Sequence, residues 1–502
     1  MAEKKSNTTK VVKGLSTQTI ITVTLGVLEI VSFSIMSRLL TNQDFGYYAA
    51  ILAVVTVFQS FAESGVGSAI IQRKELNQHY IDSSFSMNLI IGIIVSSALF
   101  LSAGIVAGVV ADRTMTVPLR IISITLLCNC LTSVNISLLQ RELHFLKIGV
   151  IHIISLTVTT VVAIILAAKG FGYYAILTKG VLTSVLTLFL SFFVVKQKYR
   201  FTFDISTYKQ IFGFGGWLTA ASIFRNIASQ VDRLLMSSLF SVQTLGLYTR
   251  PKEFVNTIAG KCNTIFDTVL FPVLSSLQDN PNSLQRSYRK SCYSLNLFAM
   301  ILAIMLFCNS ELLIRIFFGE KWMNVNTLFR VFSFYPVLLI NGRMGDIFLR
   351  SLALTKQQFF FRVGQLVFAV VFILIGHYWG VVAVAIAVIT SYACITAIKI
   401  SYVTNQMKLS PKMIIETMIE SYRFVLYIIP VHMVCRLFLP NSLTGNIIQF
   451  IVITSIMALL FIVYPNWVGK QYREVGYSLI INLFKSKIQK KNDKSRSFTS
   501  KV

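Results

Sequence analysis

The sequence predicts an all-α membrane protein with about fourteen transmembrane helices, and three features indicate this class. Of the 502 residues, 55% are hydrophobic and only 13% are charged, whereas soluble domains carry about 25% charged residues. The hydrophobic residues form runs near the ~20 residues that a membrane-spanning helix needs, such as 89–110, 148–168 and 447–463. The alternation of membrane β-strands is absent from the sequence. Only helices then satisfy the backbone inside hydrocarbon.

The predicted helices fall into three sets in chain order. The first six lie at 14–37, 45–70, 83–110, 117–139, 145–168 and 172–196. The next six lie at 209–238, 245–274, 290–309, 325–351, 358–378 and 380–404. Two more follow at 421–438 and 446–464. The apolar run after residue 13 is too long for a signal-peptide core, so we expect it to remain as the first span.

The basic residues are concentrated on one side of this predicted bundle. With fourteen spans, both chain ends and every second loop share that side. It holds Lys4, Lys5, Lys10, Lys13, Arg73, Lys74, Arg141, Lys147, Lys196, Lys198, Arg200, Arg286, Arg289, Lys290, Lys356, Lys408, Lys412 and the basic tail. Because cytoplasmic loops carry an excess of Lys and Arg, this asymmetry predicts that both termini are cytoplasmic. The net charge of +26 therefore reflects membrane topology, and we expect no nucleic-acid partner, since no basic patch with interleaved aromatics lies on a soluble domain.

The chain repeats itself at an offset of 200 residues. Val31–Tyr48 aligns without gaps with Val231–Tyr248, and Gly46 matches Gly246. The identical pairs are Val31/Val231, Met36/Met236, Ser37/Ser237, Leu39/Leu239, Gln43/Gln243, Gly46/Gly246 and Tyr48/Tyr248. Random matching would give about one identity in such a stretch. The repeat predicts two six-helix lobes in the same orientation, a transporter architecture with the substrate bound between the lobes.

The repeat also divides the chain into five parts. They are a cytoplasmic N-terminal segment at 1–13, an N-lobe at 14–200, a C-lobe at 201–405, two further helices at 406–465 and a basic cytoplasmic tail at 466–502.

Several cations lie inside the predicted spans, where an unpaired charge is costly and therefore indicates function. On the eighth predicted helix, Arg250, Glu253 and Lys261 are three and eight residues apart, close to one helical face. With Lys179 and Arg225, they predict an interlobe cavity that has more cations than anions. Such a cavity suits an anionic head group such as a pyrophosphate, to which Arg offers bidentate contacts and Lys a point charge.

Four acidic residues are candidates for ion coupling or gating: Glu29, Glu63, Asp232 and Glu253. Glu29 and Glu63 are able to take up a proton or a sodium ion. Pairing with Arg38 or with a cation of the other lobe explains these two glutamates equally well. Asp232 also fits a structural role, because a pair with its neighbour Arg233 would lock helix packing.

The sequence contains no motif that indicates catalysis. A Walker motif, an HExxH motif and a nucleophile elbow are all absent. The seven cysteines have neither zinc-site nor disulfide spacing. We therefore expect no enzyme activity, no cofactor and no metal site.

Two hairpins carry a family resemblance. Val231–Arg250, VDRLLMSSLFSVQTLGLYTR, resembles the seventh-to-eighth-helix signature of bacterial lipid-linked oligosaccharide flippases. These proteins form the polysaccharide transporter family of the multidrug/oligosaccharidyl-lipid/polysaccharide flippase superfamily. Arg38–Tyr48, with Phe61–Arg73 (FAESGVGSAIIQR), resembles the matching first-lobe signature, although Glu63 stands where the family often has aspartate. The chain is most similar to the colanic-acid and exopolysaccharide type.

This resemblance implies a V-shaped bundle that alternates between inward-open and outward-open states in the bacterial inner (plasma) membrane. It implies transfer of undecaprenyl-pyrophosphate-linked repeat units of O-antigen, capsule or exopolysaccharide to the periplasmic leaflet. The implied site is a cationic cavity, here formed by Lys179, Arg225, Arg250 and Lys261. The implied partners are the lipid-linked oligosaccharide, membrane lipids, and the polymerase and chain-length regulator of the same pathway.

Other functions compete with this one. A cation-coupled multidrug exporter of the same superfamily would need an acidic, aromatic cavity. A polysaccharide polymerase or ligase would need a large external loop, whereas the longest such connection, about 310–325, is too short for a folded lid. A scaffold without transport would not need embedded charges. The candidates for the driving force are a proton gradient, a sodium gradient and the membrane potential alone.

Overall fold

The computed structural model describes the backbone of residues 2–62, 65–73, 75–110, 112–277, 280–352 and 354–463. Side chains are described in the same ranges except at 2–16, 210–222, 265, 267–269, 271–273, 275–276, 281, 355 and 411. Glu63 and the tail from residue 464 lie outside the described residues.

Seven helices form the first half of the bundle. They are α1 (Ala2–Leu39), α2 (Asn42–Ala62), α3 (Val66–Gln72), α4 (Gln78–Val110), α5 (Thr116–Arg141), α6 (Phe145–Ala168) and α7 (Tyr173–Val195). The predicted helix at 45–70 is divided between α2 and α3. Gly65 precedes α3 with a φ of +72°, in the left-handed region that glycine adopts without steric cost.

Eight helices form the second half. They are α8 (Ile205–Leu239), α9 (Val242–Ser276), α10 (Pro281–Cys308), α11 (Ser310–Leu313), α12 (Asn326–Phe332), α13 (Tyr335–Ser351), α14 (Thr355–Gly376) and α15 (Val381–Gln406). A π-helical turn at Ile314–Phe318 and a 3₁₀ segment at Glu320–Val325 connect α11 to α12. The predicted helix at 325–351 is divided between α12 and α13, and Pro336 lies in the first turn of α13, where its missing N–H costs nothing.

Three helices end the described chain: α16 (Pro411–Tyr422), α17 (Val425–Phe438) and α18 (Leu443–Ile462). The last two, α17 and α18, pack on α10 through a separate core. Phe424 and Ile428, Ile453 of α18, and Tyr293 and Ile304 of α10 are all buried in that core.

The predicted fold class is confirmed. Within the described residues, twelve helical stretches are long and apolar enough to cross a membrane. The 35-residue helices α8 and α9 are further helices at the positions of the predicted seventh and eighth spans. At a rise of 1.5 Å per residue each is about 52 Å long, which exceeds the ~30 Å hydrocarbon core. The chain is a multi-pass membrane protein.

Candidate functional site

The sequence repeat occupies equivalent places in the structure. Helix α1 ends at Leu39 and α8 ends at Leu239, while α2 begins at Asn42 and α9 begins at Val242. Both turns therefore follow the 200-residue offset residue by residue. We call the end of the bundle that carries these two turns the turn end.

At the turn end, α2 and α9 cross at the two glycines of the repeat. A Cβ atom on Gly46 would lie 1.8 Å from the carbonyl oxygen of Val242, and one on Gly246 would lie 1.9 Å from that of Asn42. Each helix thus approaches the backbone of the other at equivalent positions. Only residues without a Cβ permit this distance, so the glycine that the two repeats share marks the contact between the two halves.

Arg250 of α9 lies between two aromatic rings of the first half. Its guanidinium carbon is 3.4 Å from the ring centroid of Phe33 and 3.7 Å from that of Phe45. The same group donates hydrogen bonds to the Phe33 carbonyl oxygen at 2.9 Å and to Ser37 Oγ at 2.7 Å, and Glu253 lies 3.6 Å away. Arg250 therefore joins the halves through cation–π contacts and hydrogen bonds.

The connection between α11 and α12 covers the end of α1. Lys321 Nζ donates to the carbonyl oxygens of Arg38 at 2.9 Å and Leu40 at 2.7 Å. The fully buried Trp322 donates its indole N–H to the Ser37 carbonyl oxygen at 2.9 Å. These donors satisfy carbonyl groups that the helix end leaves without partners. The two halves are thus held together at the turn end.

A cavity of about 340 Å³ lies beside this contact. Its polar and charged lining includes Glu29, Ser32, Lys179, Thr183 and Arg250. Lys179 Nζ donates to Ser32 Oγ at 2.5 Å. Two cations and one carboxylate therefore face this space. The structure brings together Lys179 and Arg250, which are 71 positions apart in the sequence and lie in different halves.

Glu29 pairs with a cation of the other half. Its Oε1 atom lies 2.8 Å from Lys261 Nζ, and both side chains are about one-third exposed, at 38% and 32%. Pairing with a cation of the other lobe is the structural alternative to an ion-coupling role for Glu29, and that role stays a prediction. Lys261 therefore contacts a carboxylate of the first half, and its role in substrate binding stays a prediction.

Asp232 and Glu253 form ion pairs between α8 and α9. Lys252 contacts the Asp232 carboxylate, which also accepts a hydrogen bond from the Tyr248 hydroxyl at 2.6 Å. Arg233 lies 3.1 Å from Glu253. The buried Asp232–Lys252 pair supports the structural alternative for Asp232, and its role in gating stays a prediction.

Arg225 and Glu63 remain predictions. Arg225 is exposed on α8, and its Nε atom lies 3.5 Å from Oδ1 of the adjacent Asn226. Glu63 lies outside the described residues, and its role in ion coupling stays a prediction.

A second charged site lies in the second half of the bundle, and sequence reasoning missed the two cations that pair with its carboxylate. Asp346 of α13 contacts Arg362 of α14 and lies 2.7 Å from Lys399 of α15. The sequence feature that could have indicated this site is Lys399, which lies inside the apolar stretch Val381–Gln406, where an embedded charge is costly. Arg362 lies within the first turns of α14 and resembles a helix-end residue in the sequence.

Comparison with known proteins agrees with this architecture. The family described as "Polysaccharide biosynthesis protein" matches residues 35–327. Lipopolysaccharide biosynthesis protein WzxC of Escherichia coli K12 is 25% identical over 394 residues, which cover 78% of this chain and 79% of that protein.

Two solved structures have a similar fold. Lipid II flippase MurJ in an inward closed conformation covers 91% of this chain and 99% of its own, with a TM-score of 0.69 and 15% identity. An inward-facing multidrug resistance transporter of the MATE family, of the MOP superfamily, covers 78% of this chain and 98% of its own, with a TM-score of 0.61 and 14% identity. At these identities the likeness concerns the fold. The family match covers more than half of the sequence, and the chain belongs to the polysaccharide biosynthesis protein family.

Proposed function

We propose that the protein is a flippase that moves undecaprenyl-pyrophosphate-linked oligosaccharides across the bacterial inner membrane. The observation that carries this proposal is the cavity between the halves, in which Lys179 and Arg250 outnumber the single carboxylate of Glu29. Cations suit a pyrophosphate head group. The family membership and the relative from lipopolysaccharide biosynthesis agree with a glycan precursor as the substrate.

The basic residues support a cytoplasmic location for both termini. The turn end, reached after one span from the N-terminus, is then periplasmic. In this orientation, the glycine crossing, Arg250 and Trp322 close the periplasmic side of the cavity. The head group would enter from the cytoplasmic side in this state, and separation of the turn end would release it outward.

Lys261 and Lys179 have different parts in this cycle. Lys179 offers its ammonium group to the cavity, where it donates a hydrogen bond to the neutral hydroxyl of Ser32. Lys261 is neutralised by Glu29 across the lobe boundary. A phosphate that enters the cavity competes with Glu29 for Lys261, which links substrate entry to interlobe contact.

The membrane potential favours this direction of transport. Movement of one negative charge outward across an inside-negative membrane is favoured by about 2.3 kcal/mol per 100 mV. Collapse of the potential in proteoliposomes with valinomycin and potassium should therefore slow transfer. Transfer at an unchanged rate would point to a proton or sodium gradient as the driving force.

The multidrug exporter shares the fold, but its cationic substrates would meet two cations in this cavity. A polymerase or ligase would need a large external loop, whereas the connection between α11 and α12 packs on α1 as short helical turns and offers no separate lid.

We also propose that the lobes end at residues 200 and 405. We further propose that the protein contacts the polymerase and the chain-length regulator of the same pathway.

The decisive experiment deletes the gene and complements the strain with variants. Loss of the protein should cause the lipid-linked oligosaccharide to accumulate in the cytoplasmic leaflet. Lys179→Ala should fail to restore export, because the cavity loses a cation. The matched control is Lys169→Ala, at an exposed lysine ten residues earlier. Full rescue by Lys179→Ala, at equal protein levels, would remove the cavity from the transport path.

A further inference from the structure

A second charged cluster lies inside the C-lobe, and none of its residues lines the interlobe cavity. We call Arg343, Asp346, Arg362 and Lys399 the C-lobe cluster. Arg362 Nη1 donates to Gln365 Oε1 at 2.8 Å, while its Nη2 contacts the carboxylate of Asp346. Lys399 Nζ donates to the other carboxylate oxygen at 2.7 Å. Asp346 and Lys399 are buried, with 2% and 4% of their surface exposed.

The cluster borders a cavity of about 160 Å³. Arg343, Arg362 and Lys399 line this space together with Gln365 and Asn263. At roughly 30 Å³ per water molecule it holds about five waters, which is room for a phosphate group. The Asn263 Oδ1 atom is buried and makes no hydrogen bond, so the wall also contains an unpaired acceptor, which a protonated oxygen of the ligand would satisfy.

Helix α9 borders this cavity and also contacts the first half of the bundle. Asn263 lies two residues after Lys261 on α9, about 3 Å along the helix axis. Lys261 faces Glu29 of α1, whereas Asn263 lines the C-lobe cavity. Helix α9 therefore carries Arg250 in the lining of the interlobe cavity and Asn263 in the lining of this one.

The charges of the cluster favour an anion. Arg362 and Lys399 share the single carboxylate of Asp346, so these three side chains carry a net positive charge among spanning helices. Embedded charges of this kind are costly unless they are balanced. A ligand with two or more acceptor oxygens would balance the excess and accept hydrogen bonds from Arg362 and Lys399 in place of Asp346.

We propose that the C-lobe cluster is a binding site for a phosphate-type oxyanion, in which the Asp346 carboxylate holds the two cations until the anion replaces it. The anion is either the pyrophosphate of a lipid-linked substrate or free phosphate. The first source rests on the proposed function, and the second does not. The competing explanation is a salt bridge that only fastens α13, α14 and α15 together.

The test measures anion binding to the full-length protein in nanodiscs by calorimetry. One arm uses inorganic pyrophosphate, and the other uses undecaprenyl pyrophosphate incorporated in the nanodisc. The variants Arg362→Gln and Lys399→Met each leave one cation on Asp346, so the carboxylate stays paired. Each should weaken binding about tenfold or more, as expected for one charge-assisted hydrogen bond. Asp346→Asn should strengthen binding, because it removes the competing anion.

The matched control is Arg436→Gln. Glu311 is shared by Arg330 at 3.3 Å and Arg436 at 2.7 Å, so this change also removes one of two cations from a single carboxylate. Binding by Arg436→Gln should remain within about twofold of the unmodified protein. The melting temperature of every variant reports whether it folds, and Arg362→Gln and Lys399→Met serve as independent tests.

The outcomes separate the two proposals. If Arg362→Gln and Lys399→Met weaken the binding of inorganic pyrophosphate, the site binds a free anion. If they weaken only the binding of undecaprenyl pyrophosphate, the ligand is the head group of the lipid. Equal binding of both probes by Arg362→Gln, Lys399→Met and the unmodified protein overturns the inference, even if export still depends on Lys179. Full rescue of export by Lys179→Ala, with cluster-dependent binding intact, would instead overturn the proposed function.

Discussion

The crossing of α2 and α9 can be tested by one added methyl group. In Gly46→Ala the new Cβ atom would lie 1.8 Å from the Val242 carbonyl oxygen, whereas real Cβ contacts are essentially never closer than 3.0 Å. The helices must separate by about 1.2 Å or more at this point. Overpacking of this kind costs about 1–3 kcal/mol, which corresponds to a shift of roughly 5-fold to 150-fold in a two-state equilibrium.

The penalty applies only to the state in which the turn end is closed. Gly46→Ala should therefore increase the fraction of molecules that are open at the turn end. Gly246→Ala should have the same effect, because its Cβ atom would lie 1.9 Å from the Asn42 carbonyl oxygen. The control is Gly260→Ala, also on α9, where a Cβ atom meets nothing within 4 Å.

The assay is labelling of a cysteine in the cavity with a membrane-impermeant maleimide added from the periplasmic side. Ser32→Cys provides the target, because Ser32 lines the cavity and is buried. Cys262 and Cys394 are replaced first, since these two natural cysteines are not fully buried. Faster labelling in Gly46→Ala and Gly246→Ala, but not in Gly260→Ala, is the expected result. Equal labelling in all three variants would show that the glycine crossing does not control access.

Three further predictions concern stability, measured as thermal unfolding in detergent. Trp322→Ala should destabilise the protein by about 3–5 kcal/mol, because a fully buried aromatic ring and its hydrogen bond to α1 are lost; an unchanged melting temperature would contradict this contact. Asp232→Asn should cost about 3–5 kcal/mol because it leaves the buried Lys252 unpaired, and Asp232→Leu with Lys252→Met should recover most of the loss. A double variant no better than the single one would show that the pair itself is required. The partly exposed pair of Glu29 and Lys261 should show a coupling energy of only ~0–1 kcal/mol in a double-mutant cycle, and a larger value would indicate a lock between the lobes.

The helices of the bundle were predictable because hydrophobicity is a local property. The segment predicted at 145–168 coincides with α6, and that at 172–196 differs from α7 by one residue at each end. Bilayer thickness sets the length of such segments without reference to their neighbours. The divided helices were less predictable, since Gly65 and Pro336 break the backbone without breaking the hydrophobic pattern.

The partners of the charged residues were not predictable in the same way. The spacing on α9 correctly placed Arg250 and Glu253 together, because i and i+3 share a helical face. It gave no means to find Glu29 as the partner of Lys261, 232 positions away. Nor did it indicate that Arg250 lies between Phe33 and Phe45 and so joins the two halves.

The amino-acid sequence alone determined the membrane class, the order of the spans and the 200-residue repeat, because these depend on local hydrophobicity and on identities within the chain. The tertiary structure decided which embedded charges meet, as with Arg362 and Lys399 on one carboxylate. Contact between two helices depends on how each is rotated about its axis and on how the halves are packed. Neither quantity is recorded in the local pattern of residues along the chain.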